Sequence, residues 1–174
     1  MASTIRGSDN FDSASKLTQG TAVASTSGTY IDFTGIPSTA KRITIMFSGV
    51  STNGSSLVQI QIGSGSIDTG STYYGCCHST QAGSLYSDNF TTGFRIEQGS
   101  IVNSSSIRNG TYELDYLGSN IWTGFGNSGL SNTNIYTTSA GSKTLSGTLD
   151  RIRITTLNGT DTFDAGTINI MWEG

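Results

Sequence analysis

Apolar and polar residues alternate along many segments of this chain, and a period of two predicts β-strands that each bury one face. In the clearest segment Ile43, Ile45 and Phe47 fall on one face and mostly polar side chains fall on the other. This segment, residues 41–50, leads through an Asn-Gly turn to a second alternating segment at residues 57–63. Because Asn-Gly between alternating segments is typical of hairpins, we expect the two strands to pair.

Other segments with strand character are separated by clusters of Gly, Ser, Asn and Asp, which are typical of turns. They are residues 29–33, 72–79, 90–96, 100–107, 111–117, 121–125, 134–138, 143–146, 150–156 and 167–173. No segment has a sustained 3.6-residue period, and no alternation of strands with helices is present. The pattern therefore predicts an all-β chain, an antiparallel two-sheet sandwich of jelly-roll type with roughly ten strands.

The length of 174 residues is typical of one domain. Residues 1–20 are polar and lack periodicity, so we interpret them as an N-terminal arm that serves for attachment or subunit contact. Residues 21–174 form the predicted β-domain.

The composition narrows the choice of partners. Charged residues make up only 12% of the chain, the formal net charge is −3, and no run of Lys and Arg exceeds two residues. A nucleic-acid partner usually requires a basic patch, so we expect none. No apolar run reaches the 18 residues of a membrane span, so we expect no membrane insertion. A surface of hydroxyls and amides suits sugars or another protein.

Two carboxylates deserve comparison with a catalytic pair. Glu113 and Asp115 share one face of a predicted strand, and glycosidases use two such groups in a cleft. Alternation explains both residues as an outward polar face, and Glu97 is the only other Glu before the terminal segment. No serine lies in a Gly-x-Ser-x-Gly elbow between a strand and a helix. We therefore predict no catalytic residue and no enzymatic activity.

Two motifs could hold a metal ion. Cys76, Cys77 and His78 form a single cluster with the only histidine of the chain, whereas structural zinc sites use four ligands. Neighbouring cysteines bridge poorly, so two free thiols in a reducing compartment are expected. Residues 158–164 look like a calcium loop but lack the ligand spacing of an EF-hand, and Asx-turns explain them more simply. We expect neither a metal nor a cofactor.

Several aromatic residues could stack on sugar rings if they are exposed. The candidates for glycan contact are Trp122, Tyr73 and Tyr136, of which Trp122 is the most interesting. The alternative role, packing in the core, applies to most aromatic residues of the chain.

Three segments together resemble the C-terminal β-domains of tailed-bacteriophage tail-fibre and related virion fibre or decoration proteins. They are residues 30–37 (YIDFTGIP), residues 41–54 (KRITIMFSGVSTNG) and residues 163–173 (FDAGTINIMWE). In that family a DFTGIP stretch followed by (K/R)RI opens the domain, and a G(T/S)(I/V)NI strand closes it. The resemblance extends over most of the chain from about residue 21.

The resemblance implies a virion structural protein that is assembled in the host cytoplasm. It implies a homotrimer that binds host surface glycans or proteins. It also implies contacts with other virion proteins, which residues 1–20 would make. No coiled-coil heptads for a shaft occur in the sequence, which favours a short tail fibre, a fibre tip or a capsid or tail decoration subunit. A free-standing carbohydrate-binding module is the alternative, and a glycan hydrolase or lyase is the third hypothesis.

Overall fold

The computed structural model describes residues 16–99 and 101–174, and fourteen strands lie within them. In chain order these are β1 (Thr18–Gln19), β2 (Val23–Ala24), β3 (Tyr30–Thr34), β4 (Arg42–Thr52), β5 (Val58–Ser64), β6 (Ser66–Ile67), β7 (Tyr73–Gln81), β8 (Ser84–Phe90), β9 (Phe94–Arg95), β10 (Arg108–Gly118), β11 (Ile121–Leu130), β12 (Ile135–Thr144), β13 (Arg151–Thr156) and β14 (Phe163–Glu173). Most of the arm predicted over residues 1–20 lies outside the described residues.

The strands form two antiparallel sheets. The nine-stranded sheet has the order β1-β14-β4-β10-β11-β12-β7-β8, with β2 also paired to β14. The five-stranded sheet has the order β3-β13-β5-β6, with β9 also paired to β5. The predicted all-β antiparallel class is confirmed and the arrangement is consistent with a sandwich, whereas the jelly-roll type stays a prediction. The predicted number of roughly ten strands is too low, because β1, β2, β6 and β9 have only two residues each and are too short to show a period of two. No helix within the described residues is long and apolar enough to span a membrane.

One hydrophobic core joins the inner faces of both sheets. The predicted inward residues of β4, Ile43, Ile45 and Phe47, are all buried. The five-stranded sheet contributes cross-strand pairs such as Ile60 with Ile154, which are also buried. Burial of such side chains stabilises the fold by roughly 1.5–3 kcal/mol each.

The predicted hairpin between β4 and β5 is wrong. β4 pairs with β10 and β14, whereas β5 pairs with β13, β6 and β9 in the other sheet. The Asn53-Gly54 segment carries the chain from one sheet to the other, where the backbone N–H of Asn53 donates to the Thr162 carbonyl at 2.9 Å. Two strands facing each other across a core need the same alternation as two paired strands, so the pattern could not separate these cases.

Four other predicted strand segments need correction. The segment predicted over residues 90–96 divides into the end of β8 and the short β9, and residues 101–107 contain no strand. Instead, Ile107 contacts the β11–β12 turn, where its carbonyl accepts a hydrogen bond from the backbone N–H of Ser131 at 3.0 Å and its N–H donates to Asn132 Oδ1 at 3.1 Å. The segments predicted at 134–138 and 143–146 are one strand, β12, because the small and polar residues between them interrupted the pattern rather than the strand.

Candidate functional site

The outer face of the nine-stranded sheet presents a group of exposed residues on β7, β11 and β12 that contains no Lys, Arg, Asp or Glu. This outer patch consists of Tyr74, Cys76, Phe125, Tyr136, Thr138 and Ala140. The register places Phe125 opposite Ala140 and Ala140 opposite Cys76, so the patch is continuous across three strands. Tyr74, Phe125 and Tyr136 are 67%, 55% and 53% exposed, which is unusual for three large aromatic side chains on one face.

The same sheet face is charged directly beside the patch, because Glu113 on β10 lies opposite Phe125 and next to Arg42. Its guanidinium lies 2.8 Å from an Asp115 oxygen, 3.5 Å from a Glu113 oxygen and 3.0 Å from a Glu173 oxygen. The hydrogen bond and the charge of Asp115 raise the pKa of Arg42. Glu113 and Asp115 thus form an outward polar face, as alternation indicated, and are engaged by Arg42.

Glu97 lies on the other side of this sheet, so it shares no cleft with Glu113. Its carboxylate is fully buried, accepts a hydrogen bond from the backbone N–H of Val58 at 2.6 Å, and lies 2.6 Å from Nε of Arg108. The Arg108 side chain is also fully buried, and its Nη1 donates to the Ser106 carbonyl at 3.2 Å. Sequence reasoning missed this ion pair because Arg108 follows a segment without clear periodicity.

The two cysteines are free, as predicted, and differ in environment. Cys76 is exposed on the outer patch, while Cys77 is buried with its Sγ 3.5 Å from the Glu97 carbonyl oxygen. Burial raises the pKa of the Cys77 thiol to about 11. Among the described residues, no three His, Cys, Asp or Glu side chains come together as metal ligands.

The loop that resembles a calcium site is an Asx-turn. Asn158 Oδ1 accepts hydrogen bonds from the backbone N–H groups of Thr160 and Asp161, at 3.0 and 3.1 Å. Asp161 in turn accepts one from the backbone N–H of Ser56 at 2.9 Å. These carboxyl and amide oxygens therefore hold the loop against the preceding turn.

The three candidate glycan contacts lie in three different environments. Tyr136 is exposed in the outer patch. Tyr73 is fully buried, and its hydroxyl accepts from the Ile62 N–H at 2.9 Å and bonds the Asp68 carbonyl at 2.9 Å. The structure therefore favours the alternative role of Tyr73 as a core residue. Burial also raises the pKa of the Tyr73 hydroxyl well above its usual range. Lys143, 4.6 Å from the Tyr73 ring, pairs with Asp68.

Trp122 is only 3% exposed, yet it lines a small pocket where three loops meet at one end of the two sheets. The Trp122 pocket has a volume of about 170 Å³ and is bounded by Ser38, Lys41, Tyr116, Asn120, Trp122 and Thr148. The rings of Tyr116 and Trp122 lie 5.3 Å apart, and the Lys41 ammonium lies 4.3 Å from the Tyr116 ring. Tyr116 and Trp122 lie near the ends of β10 and β11, and the other residues that line the pocket come from the β3–β4, β10–β11 and β12–β13 connections. Because these segments are far apart in the sequence, the sequence gave no signal of the pocket.

Comparison with known proteins adds little. No protein-family model matches the sequence, and no curated protein matches it. One similar solved structure is that of a protein of unknown function from Shewanella oneidensis MR-1, with a TM-score of 0.30 and 9% sequence identity. The alignment covers 92% of this chain and 77% of that chain, and a likeness this low supports no argument about fold or function.

Proposed function

We propose that this chain is a structural protein of a tailed-bacteriophage virion, a short tail fibre, a fibre tip or a capsid or tail decoration subunit. It assembles as a homotrimer in the host cytoplasm, and residues 1–20 contact other virion proteins. The observation that supports self-association is the outer patch, because three exposed aromatic side chains grouped in an area without charged residues are typical of an interface. The resemblance of residues 30–54 and 163–173 to fibre and decoration domains supports the virion role.

The sheet topology agrees with this proposal in two respects. The chain passes repeatedly from one sheet to the other, as it does in the jelly-roll domains of many virion proteins, and this supports the jelly-roll assignment. In addition, β8 pairs only with β7 among the strands of the described residues, and its Leu85 side chain is exposed. Edge strands of this kind are often covered in an assembly.

Native light scattering tests the proposal. We expect a mass of about three times 18.2 kDa for the full chain. The double variant Phe125→Ser/Tyr136→Ser should dissociate into monomers, because it removes two exposed rings without disturbing the core. Tyr30→Ser, on the outer face of the five-stranded sheet and 50% exposed, is the matched control and should leave the mass unchanged. A monomer at every concentration, or a trimer that survives the double variant, would contradict the proposed interface.

Glycan binding is a second candidate function, whether as receptor recognition by a fibre tip or by a free-standing carbohydrate-binding module. The Trp122 pocket supports it, because aromatic walls with a polar rim are typical of sites for small polar ligands. A glycan array probed with the full chain tests this function, and binding should decrease when Trp122 is replaced by Phe. An array without signal, or one unchanged by the substitution, would contradict it.

A further inference from the structure

Lys41 differs from the other cations near the core because no carboxylate neutralises it. Within the described residues, the ammonium of Lys143 and every guanidinium lie in ion pairs, whereas Lys41 has only the Tyr116 ring as a partner. Lys16 also lacks an ion pair among the described residues, but it does not line the Trp122 pocket. A cation in a net-negative chain, beside a pocket and without its own carboxylate, can accept one from a ligand.

Trp122 is the second unsatisfied group of the same pocket. Its Nε1–H is buried and donates to no acceptor among the described residues. An indole N–H is a donor only, and a buried donor without a partner lowers stability. Because Nε1 is buried in the ligand-free pocket, a small movement of the pocket wall would let a ligand oxygen provide the missing acceptor.

The rim adds groups that suit a sugar. Ser38 and Thr148 contribute exposed hydroxyls. Asn120 lies at the end of the β10–β11 turn, where its backbone has a positive φ of 60°, and it contributes a side-chain amide. None of these three side chains makes a hydrogen bond within the described part of the chain, so they are available to ring hydroxyls. The volume of about 170 Å³ is well below that of pockets for drug-sized ligands, roughly 300–1,000 Å³, and suits one sugar residue.

We propose that the Trp122 pocket binds one acidic sugar residue of a glycan, with its carboxylate at Lys41 and Trp122 and its ring hydroxyls at the rim. A carboxylate fits better than a phosphate, because phosphate sites commonly use an Arg fork, a helix N-terminus or several converging backbone N–H groups. This inference rests on the glycan-binding function and specifies its ligand class. It is independent of self-association, since the pocket and the outer patch share no residue.

NMR of the full chain tests the proposal, because the two tryptophans give two indole N–H signals. We expect sodium glucuronate to shift the Trp122 signal with a dissociation constant in the millimolar range, which is typical of single sugar residues. Glucose and sodium acetate should shift this signal only at about tenfold higher concentration. Lys41→Gln should weaken glucuronate binding about tenfold or more, since it removes a charged hydrogen-bond donor from an exposed position and leaves the fold intact. Lys16→Gln is the matched control and should bind glucuronate normally.

Each alternative outcome is informative. Glucose binding as tightly as glucuronate would overturn the acidic ligand class and leave glycan binding standing. Acetate binding as tightly as glucuronate would show a site for any carboxylate and would overturn the proposal. An unchanged glucuronate affinity in Lys41→Gln would show that the Lys41 ammonium has no role, and this too would overturn the proposal. No shift with any of these probes, together with a silent glycan array, would contradict both this proposal and the glycan-binding function.

Discussion

Replacing Arg108 by Met should destabilise this protein more than any surface substitution. The Arg108 and Glu97 side chains are 0% and 1% exposed, and their charged groups lie 2.6 Å apart. Removal of the guanidinium leaves the Glu97 carboxylate buried without a counter-charge, and such a loss typically costs about 3–5 kcal/mol. For a chain of this length each kcal/mol lowers Tm by about 2–4 °C, so a decrease of about 6–20 °C is expected.

The double variant Glu97→Leu/Arg108→Met separates the charge from the packing. Because both charges are removed, most of the penalty of Arg108→Met disappears. The Val58 N–H then loses its acceptor, which leaves a cost of about 1–3 kcal/mol. The double variant should therefore be more stable than Arg108→Met alone.

Urea denaturation, followed by tryptophan fluorescence, measures the free energies of unfolding of the wild type, of the single variants Arg108→Met and Glu97→Leu, and of the double variant at pH 7. A cost of less than about 1 kcal/mol for Arg108→Met would refute the reasoning. So would a double variant whose loss equals the sum of the two single losses, because the two residues would then not interact.

Three further predictions concern the tyrosines, the cysteines and a glycine. Burial raises the pKa of Tyr73 and Tyr112. Above about pH 10 the unfolded chain therefore loses phenol protons that the folded chain retains. The free energy of unfolding, measured by urea titration, should decrease by up to about 2.7 kcal/mol per pH unit for the two groups together. A thiol reagent such as DTNB should label Cys76 in the folded protein and reach Cys77, whose pKa is raised to about 11, only after denaturation. Gly75→Ala should cost at least about 1–3 kcal/mol in thermal unfolding, because the new Cβ would lie 2.3 Å from the Phe90 ring.

Each of these predictions has an outcome that would contradict it. Constant stability between pH 9 and pH 11 would show that the two phenols titrate normally in the folded state. Rapid labelling of both thiols would mean that Cys77 is accessible. Gly65→Ala is the control for Gly75→Ala, because Gly65 has a φ of 71° but a Cβ added there would meet no atom within 4 Å. The loss of stability in Gly65→Ala should be smaller and should reflect backbone strain alone.

The sequence by itself determined which residues face inward, because a strand reports its buried face through a local period of two. This holds for Ile43 and Phe47 on β4, and for Tyr112 and Leu114 on β10, all of which are buried. The outward position of Glu113 followed from the same rule. Local hydrogen-bonding chemistry likewise predicted the Asx-turn at Asn158.

Only the tertiary structure decided which strands pair and which polar groups meet inside. The β4 and β5 segments alternate alike but belong to different sheets, and the choice depends on distant partners such as β13 and β14. Likewise, Arg108 is buried because Glu97, contributed by a separate segment, neutralises it.

The Trp122 pocket exists because three loops far apart in sequence converge at one end of the two sheets. Alternation fixes the face on which each side chain lies, whereas the long-range contacts that bring faces and loops together leave no periodic trace in the sequence.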